Sequence, residues 1–155
     1  MVAEKEILKQ VMDLIPQQAP FRFIDDILDA DDKNITAVYR FSADEYFYKG
    51  HFPDNPITPG VILIETMAQT GVVAMGIYQL LRQGMSVAEL KQMTTLFAFA
   101  DAIEFAGIVY PEEQVIIRGE IVYLRKGNMK TRASIERENG EIVCSGMLTG
   151  TGVKR

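Results

Sequence analysis

The stretch Thr58-Pro59-Gly60-Val61-Ile62-Leu63-Ile64-Glu65-Thr66-Met67-Ala68-Gln69-Thr70-Gly71-Val72-Val73-Ala74-Met75-Gly76-Ile77-Tyr78-Gln79-Leu80-Leu81-Arg82 decides the fold of this chain. Its apolar residues fall on nearly every side of a helix, so that helix must be surrounded and not laid on one surface. Thr58 reads as the N-cap and Pro59 as the first helical residue. The helix is expected to run to Leu81 or Arg82, with Gly84 as its stop. The same length and apolarity invite comparison with a membrane span. Glu65, Gln69 and Gln79, several small residues and the lack of clear interfacial anchors argue instead for a buried helix of a soluble protein.

Outward from the helix, the patterns are short and alternating. Residues 3–14 read as an amphipathic helix ended by Pro16 and Pro20. Phe21 to Leu28 and Ile35 to Phe41 read as a hairpin around the polar turn Asp29 to Asn34. Ser42 to Pro59 is a loop whose aromatics, Tyr46, Phe47, Tyr48 and Phe52, suggest that it packs down. Beyond the helix, Ser86 to Gln92 offers a further helical turn. Four strands follow: Leu96 to Phe105, Gln114 to Arg125, a third from Met129, and Glu141 to Thr149. Lys126-Gly127-Asn128 and Asn139-Gly140 are the turns. The expected class is α+β, one domain over residues 1–155, with an antiparallel sheet curled around a long central helix. Exposed sheet edges make a homodimer the natural expectation.

Composition narrows the function. The chain has 155 residues and a formal net charge of -5, which argues against a nucleic-acid footprint. One cysteine, Cys144, cannot form an internal disulfide and fits a reducing compartment. Met1 to Ile7 lacks the basic-then-apolar pattern of a leader, so a cytoplasmic location is expected. One histidine and one cysteine make a His/Cys metal site a poor reading.

That one histidine, His51, lies in Gly50-His51-Phe52-Pro53-Asp54-Asn55-Pro56-Ile57, just before the helix. Imidazole is the side chain suited to proton transfer near neutrality. Taken alone, His51 reads equally well as a loop residue capping a turn. Gly50 would let the backbone approach closely, and Phe52-Pro53 would fix the chain beyond it. Glu65 is more telling. It lies about two turns into the helix, roughly 10 Å along the axis from Thr58. A carboxyl among apolar neighbours tends to hold its proton or find a partner. Gln69, one turn on, is the plainest structural partner. Between base and acid, the free amides of Gly60 and Val61 could polarise a carbonyl oxygen.

The run Gly50-His51-Phe52-Pro53, Pro56-Ile57, Pro59-Gly60-Val61, Ile64-Glu65, Met67-Ala68-Gln69 resembles the signature of the (3R)-hydroxyacyl-acyl-carrier-protein dehydratases of the FabZ type. Leu14-Ile15-Pro16 with Pro20-Phe21 and Asp25, and Phe105 with Val109 and Pro111, resemble two further segments of that family. The resemblance covers about residues 10–150. It implies a hotdog fold, dimers and often trimers of dimers, no cofactor, and dehydration of a 3-hydroxyacyl thioester to the trans-2-enoyl thioester. His51 would then remove the C2 proton, Glu65 would help the hydroxyl leave, and the Gly60 amide, with Val61, would hold the thioester carbonyl. In the family the histidine and glutamate of one site come from different subunits. The loop after His51 reaches far enough for either arrangement. Glutamate at position 65 favours the plain dehydratase over bifunctional relatives that also isomerise the double bond.

The chain departs from the pattern at three places. Asp54-Asn55 replaces a common Gly-His, and Thr58 replaces an apolar residue. Glu104 to Ile108 lacks the basic residues the family commonly carries there. An acidic carrier would then need Arg125, Lys126, Lys130 and Arg132 of the neighbouring hairpin, a set that reads first as an ordinary solvated turn. Tyr46, Phe47, Phe97, Phe99 and the central-helix methionines are candidates for an acyl tunnel, though each also reads as ordinary core. Fatty-acid synthesis is the default pathway, with a specialised polyketide, polyene or lipid pathway beside it. The rival functions are a hotdog thioesterase, in which Glu65 activates water, and a non-catalytic acyl-carrier binder.

Overall fold

The computed structural model describes residues 4–154. The expected helix start at residue 3 and the leader reading over Met1 to Ala3 lie outside the described residues. The N-terminal helix occupies Lys5–Leu14 and buries Leu8 and Val11. Six strands follow: β1 (Asp26–Ala30), β2 (Asn34–Arg40), β3 (Met93–Phe105), β4 (Gln114–Arg125), β5 (Asn128–Arg137) and β6 (Ile142–Lys154). They form one antiparallel sheet in the order β1-β2-β4-β5-β6-β3. The α+β class and the sheet packed against a central helix are as expected.

The first strand begins later than its apolar pattern suggests. Phe23 gives its N–H to Gln69 Oε1, and the Phe21 carbonyl accepts from Gln69 Nε2, so these residues are tied to the helix and not to a strand. β6 runs five residues past the expected Thr149, to Lys154, because β3 also starts early and the two pair along that length.

The central helix spans Gly60–Arg82 and is long and apolar enough to cross a membrane by composition, yet two-thirds of its apolar window is buried inside the fold. It is the core element. Where it lies closest to the sheet, the strands carry glycine. A Cβ on Gly119 would stand 3.0 Å from the Gly71 Cα, and one on Gly150 would run into Val72. Through Gln69–Ala74 the helix widens into a π segment, a form common at functional sites. Thr131 of β5 donates to the Gly71 carbonyl there at 2.9 Å.

Gly84 ends the helix at φ +93°. Its N–H donates to the Leu81 carbonyl and that of Met85 to Leu80, the paired bonds of a Schellman stop. Ser86 then caps the short helix Val87–Lys91 through a capping box with Glu89.

Two expectations about the helix itself need correction. The helix cap is Pro59, which carries no side-chain cap bond; Thr58 is not the N-cap. The Thr58 hydroxyl is buried against the Tyr48 phenol instead, at 2.7 Å. Nor is the helix covered all round, since Val61 is 72% exposed at its start.

Candidate active site

The site is built from the loop before the central helix, the first turns of that helix, and the N-terminal segment crossing it. A 3-10 turn over Tyr46–Lys49 leads into His51, whose N–H donates to the Phe47 carbonyl at 3.0 Å. The loop packs down unevenly. Tyr48 is buried and Phe47 packs against the core, while Tyr46 and Phe52 remain exposed. Gly50 is not needed for close approach, because nothing lies within 4 Å of a Cβ built there. The unusual backbone is one residue on: Phe52 adopts φ 63°, the left-handed region that non-glycine residues seldom occupy.

The half-buried His51 ring is oriented by its own loop. Nδ1 lies 2.9 Å from the Ile57 carbonyl oxygen. A carbonyl can only accept, so Nδ1 carries the hydrogen and the neutral ring leaves a lone pair on Nε2. That nitrogen is the one able to take up a proton.

At the helix start, the Pro59 carbonyl takes the N–H groups of Ile62 and Leu63, at 3.0 and 3.2 Å. Pro59 has no N–H. The amides of Gly60 and Val61 are therefore left over from the intrahelical ladder, at the positive end of the helix dipole. Phe105 of β3 stands over Gly60, with its Cζ 2.9 Å from where a Cβ would be. Glycine keeps that amide approachable under the ring.

Glu65 is half-buried, and burial pushes its carboxyl above the ordinary value. A hydrogen bond from Gln69 Nε2 to Oε2, at 2.8 Å, pulls the other way. Desolvation is the larger effect, so the carboxyl is biased toward holding its proton. With Oε2 occupied, Oε1 has no partner among the described residues and can carry it.

The expected Gln69 bond to Glu65 is real, but Gln69 does more than satisfy an acid. It accepts from the Phe23 N–H at 2.7 Å and donates to the Phe21 carbonyl at 2.9 Å. It thus orients Glu65 from a fixed frame. Its spacing four residues after the acid, and its place at the end of the signature run, are the sequence signals that pointed to Gln69.

His51 and Glu65 have no direct bond within this chain among the described residues: His51 bonds Ile57 and Glu65 bonds Gln69. Gly60 and Val61 lie on the same helix as Glu65, about 7 Å along its axis. The large cavity, of about 590 Å³, lies further along, between Val72, Gly76 and Leu80 of the helix, Leu14 and Ile15, and the β4–β5 hairpin. Tyr46, Phe47, Phe97 and Phe99 do not line it, and Met67 and Met75 are buried core. Of the four hairpin cations, Arg132 pairs with Glu120 at 2.8 Å and Lys130 lies 4.0 Å from Asp101.

A helix cradled by an antiparallel sheet defines a hotdog domain, and this one carries an oriented imidazole, a half-buried carboxyl and free amides near one end of that helix. Residues 15–147 match the FabA-like domain family, and the chain belongs to that family. It is 34% identical over 142 residues to the 3-hydroxyacyl-[acyl-carrier-protein] dehydratase FabZ of Caldicellulosiruptor bescii, covering 91% of this chain and 94% of that protein. The protein of the same name from Listeria welshimeri is 31% identical over 140 residues, covering 88% and 89%. Among solved structures, the dehydratase heterocomplex ApeI:P of Xenorhabdus doucetiae matches with TM-score 0.77 at 14% identity, over 94% of this chain and 91% of that one. A mutant thioesterase from Pseudomonas aeruginosa matches with TM-score 0.67 at 13% identity, over 96% and 94%. At those identities the two structures speak for the shared fold alone.

Proposed function

We propose that this protein dehydrates (3R)-3-hydroxyacyl thioesters carried on acyl carrier protein, giving trans-2-enoyl thioesters in fatty-acid or related lipid synthesis. The observation that carries the reading is the half-buried Glu65 carboxyl, biased toward its protonated form and oriented by Gln69, on the helix whose first amides are free.

In this mechanism Nε2 of His51 removes a proton from C2. The electron pair of that C–H bond becomes the second bond between C2 and C3. The C3–O bond breaks as Glu65 Oε1 gives its proton to the departing hydroxyl, which leaves as water. The Gly60 N–H, with Val61 beside it, holds the thioester oxygen as charge builds on it. Proton return from His51 to Glu65 through solvent resets the site. Nothing is oxidised or reduced.

The working form is a homodimer in the cytoplasm. Among the described residues β3 is a sheet edge that pairs with β6, and it exposes Leu96, Phe97, Phe99 and Phe105, at 54, 43, 68 and 51%. A long apolar edge of that kind is unusual on a monomer and suits pairing with its counterpart in a second copy. The family resemblance implies that the His51 loop of one subunit then meets Glu65 of the other. The cavity beyond Val72 suits the apolar tail of the substrate, and the hairpin around Arg125 and Lys126 suits an acidic carrier.

The test is incubation with a 3-hydroxyacyl thioester, following enoyl absorbance and free thiol together. Enoyl product without thiol supports the reading. Thiol release without enoyl product would sink it in favour of a thioesterase.

A further inference from the structure

The loop bearing His51 leaves the core at Tyr48 and returns at Thr58, and a buried pair ties its two ends. The Tyr48 phenol oxygen and Thr58 Oγ1 lie 2.7 Å apart, and each residue is 4% exposed. Thr58 is held twice, since its N–H donates at 2.9 Å to the carbonyl of Val109, itself fully buried. The peptide just before it carries the Ile57 carbonyl that accepts from His51 Nδ1.

Three bonds therefore converge on residues 57 and 58, one to a side chain, one to an amide and one to a carbonyl. Between the ends the Phe47 carbonyl holds the His51 N–H at 3.0 Å, and the tip beyond it has little else to hold it. Phe52 to Asn55 are exposed, and a single turn bond from Asn55 N–H to the Phe52 carbonyl closes the tip. Thr58 also precedes Pro59-Gly60, so the anchor that sets the imidazole acceptor sets the first free amide of the helix as well.

We propose that Tyr48 and Thr58 form a clamp that positions His51, holding the Ile57 carbonyl where it keeps the hydrogen on Nδ1 and leaves Nε2 as the base. Neither residue touches reacting atoms, and both act through the Ile57–Thr58 peptide. The proposal rests on His51 being the base.

The test uses the full chain carrying Tyr48→Phe, Thr58→Val, Thr58→Ser and the double variant Y48F/T58V. The double variant removes both partners together, so no buried polar group is orphaned, and it decides the matter where a single variant fails to fold. His51 is the only histidine. A spectrum of protein labelled with nitrogen-15 histidine therefore reports one imidazole, and its tautomer is read directly.

In the folded double variant, kcat should fall about tenfold or more with KM changed far less. The ring should pass from a single Nδ1–H form to a mixture. Thr58→Ser should retain both wild-type properties. An unchanged tautomer and kcat in the folded double variant would overturn the clamp, as would loss of the single tautomer in Thr58→Ser. The ring spectrum needs no turnover, so a wild-type protein without dehydratase activity would refute the reaction and leave the clamp to be judged on the spectra.

Discussion

Gln69 donates to Oε2 of Glu65 at 2.8 Å from an amide that cannot turn round. Its oxygen faces the Phe23 N–H, which only donates, and its nitrogen faces the Phe21 carbonyl, which only accepts. A flipped amide would break both contacts. Glu65 is thus held by a donor whose direction is set by a segment more than forty residues earlier in the chain.

That relationship has a pH consequence. Dehydration by this route needs Glu65 protonated, so activity should fall on the alkaline side as Glu65 loses its proton. The Gln69 bond favours the carboxylate, and its loss moves the Glu65 titration upward. Gln69→Met should therefore shift the alkaline limb of the kcat profile to higher pH. It should also cost stability, about 1–3 kcal/mol for each backbone group at Phe21 and Phe23 left unpaired. A limb that stays put or moves down would separate Glu65 from the alkaline step.

Stability should carry the same signature in Glu65→Gln. Burial raises the folded-state value of Glu65 above that of the unfolded chain. The protonated form is then compatible with folding, and the favourable contribution is full below the ordinary carboxylate range, about 4. It is lost as pH rises through the raised folded value. Glutamine stays neutral throughout. The variant should match wild type in acid and become the more stable protein as pH rises, measured as the difference in Tm across a pH series.

His51→Ala and Glu65→Ala should each lose about 10²–10⁴-fold in kcat, the usual range for a positioned acid or base. Mixing the two dead proteins under conditions that exchange subunits separates the possible arrangements. If each site takes its histidine and glutamate from different subunits, a mixed dimer regains one intact site, and random reassociation restores about a quarter of wild-type activity. If both come from one chain, mixing restores nothing. Phe99→Asp, on the exposed face of β3, should abolish the recovery by separating the subunits.

Gly60→Ala tests the amide. The added methyl would meet the Phe105 ring at 2.9 Å, and that ring is half exposed and can move aside. Alanine also suits a helix better than glycine, so Tm should change little. Activity should still drop by tenfold or more, the scale of losing one oxyanion donor being about 10²–10³. Equal kcat in the folded variant would remove Gly60 from the carbonyl site.

Much of this protein was legible in the chain. The helix from Gly60 to Arg82, its glycine stop, the hairpin turns and the alternation of β5 follow from local periodicity and turn chemistry, which need no distant partner. The acid inside that helix and the histidine just before it announced a candidate site for the same reason.

Tertiary structure decided what depends on groups far apart in sequence. Phe21 to Leu28 reads as strand, yet Phe21 and Phe23 are tied to Gln69 through backbone groups no periodicity can see. Thr58 has the residue type of a cap, yet a buried phenol ten positions earlier takes its hydroxyl. Phe105 of the edge strand β3 comes to rest over Gly60, a fact of tertiary packing and not of local pattern. Which residue types are present, and how they are spaced, set the elements and the candidate chemistry. How a donor is aimed and which carboxyl oxygen stays free follow from long-range packing, where each polar group takes the partner that burial leaves it.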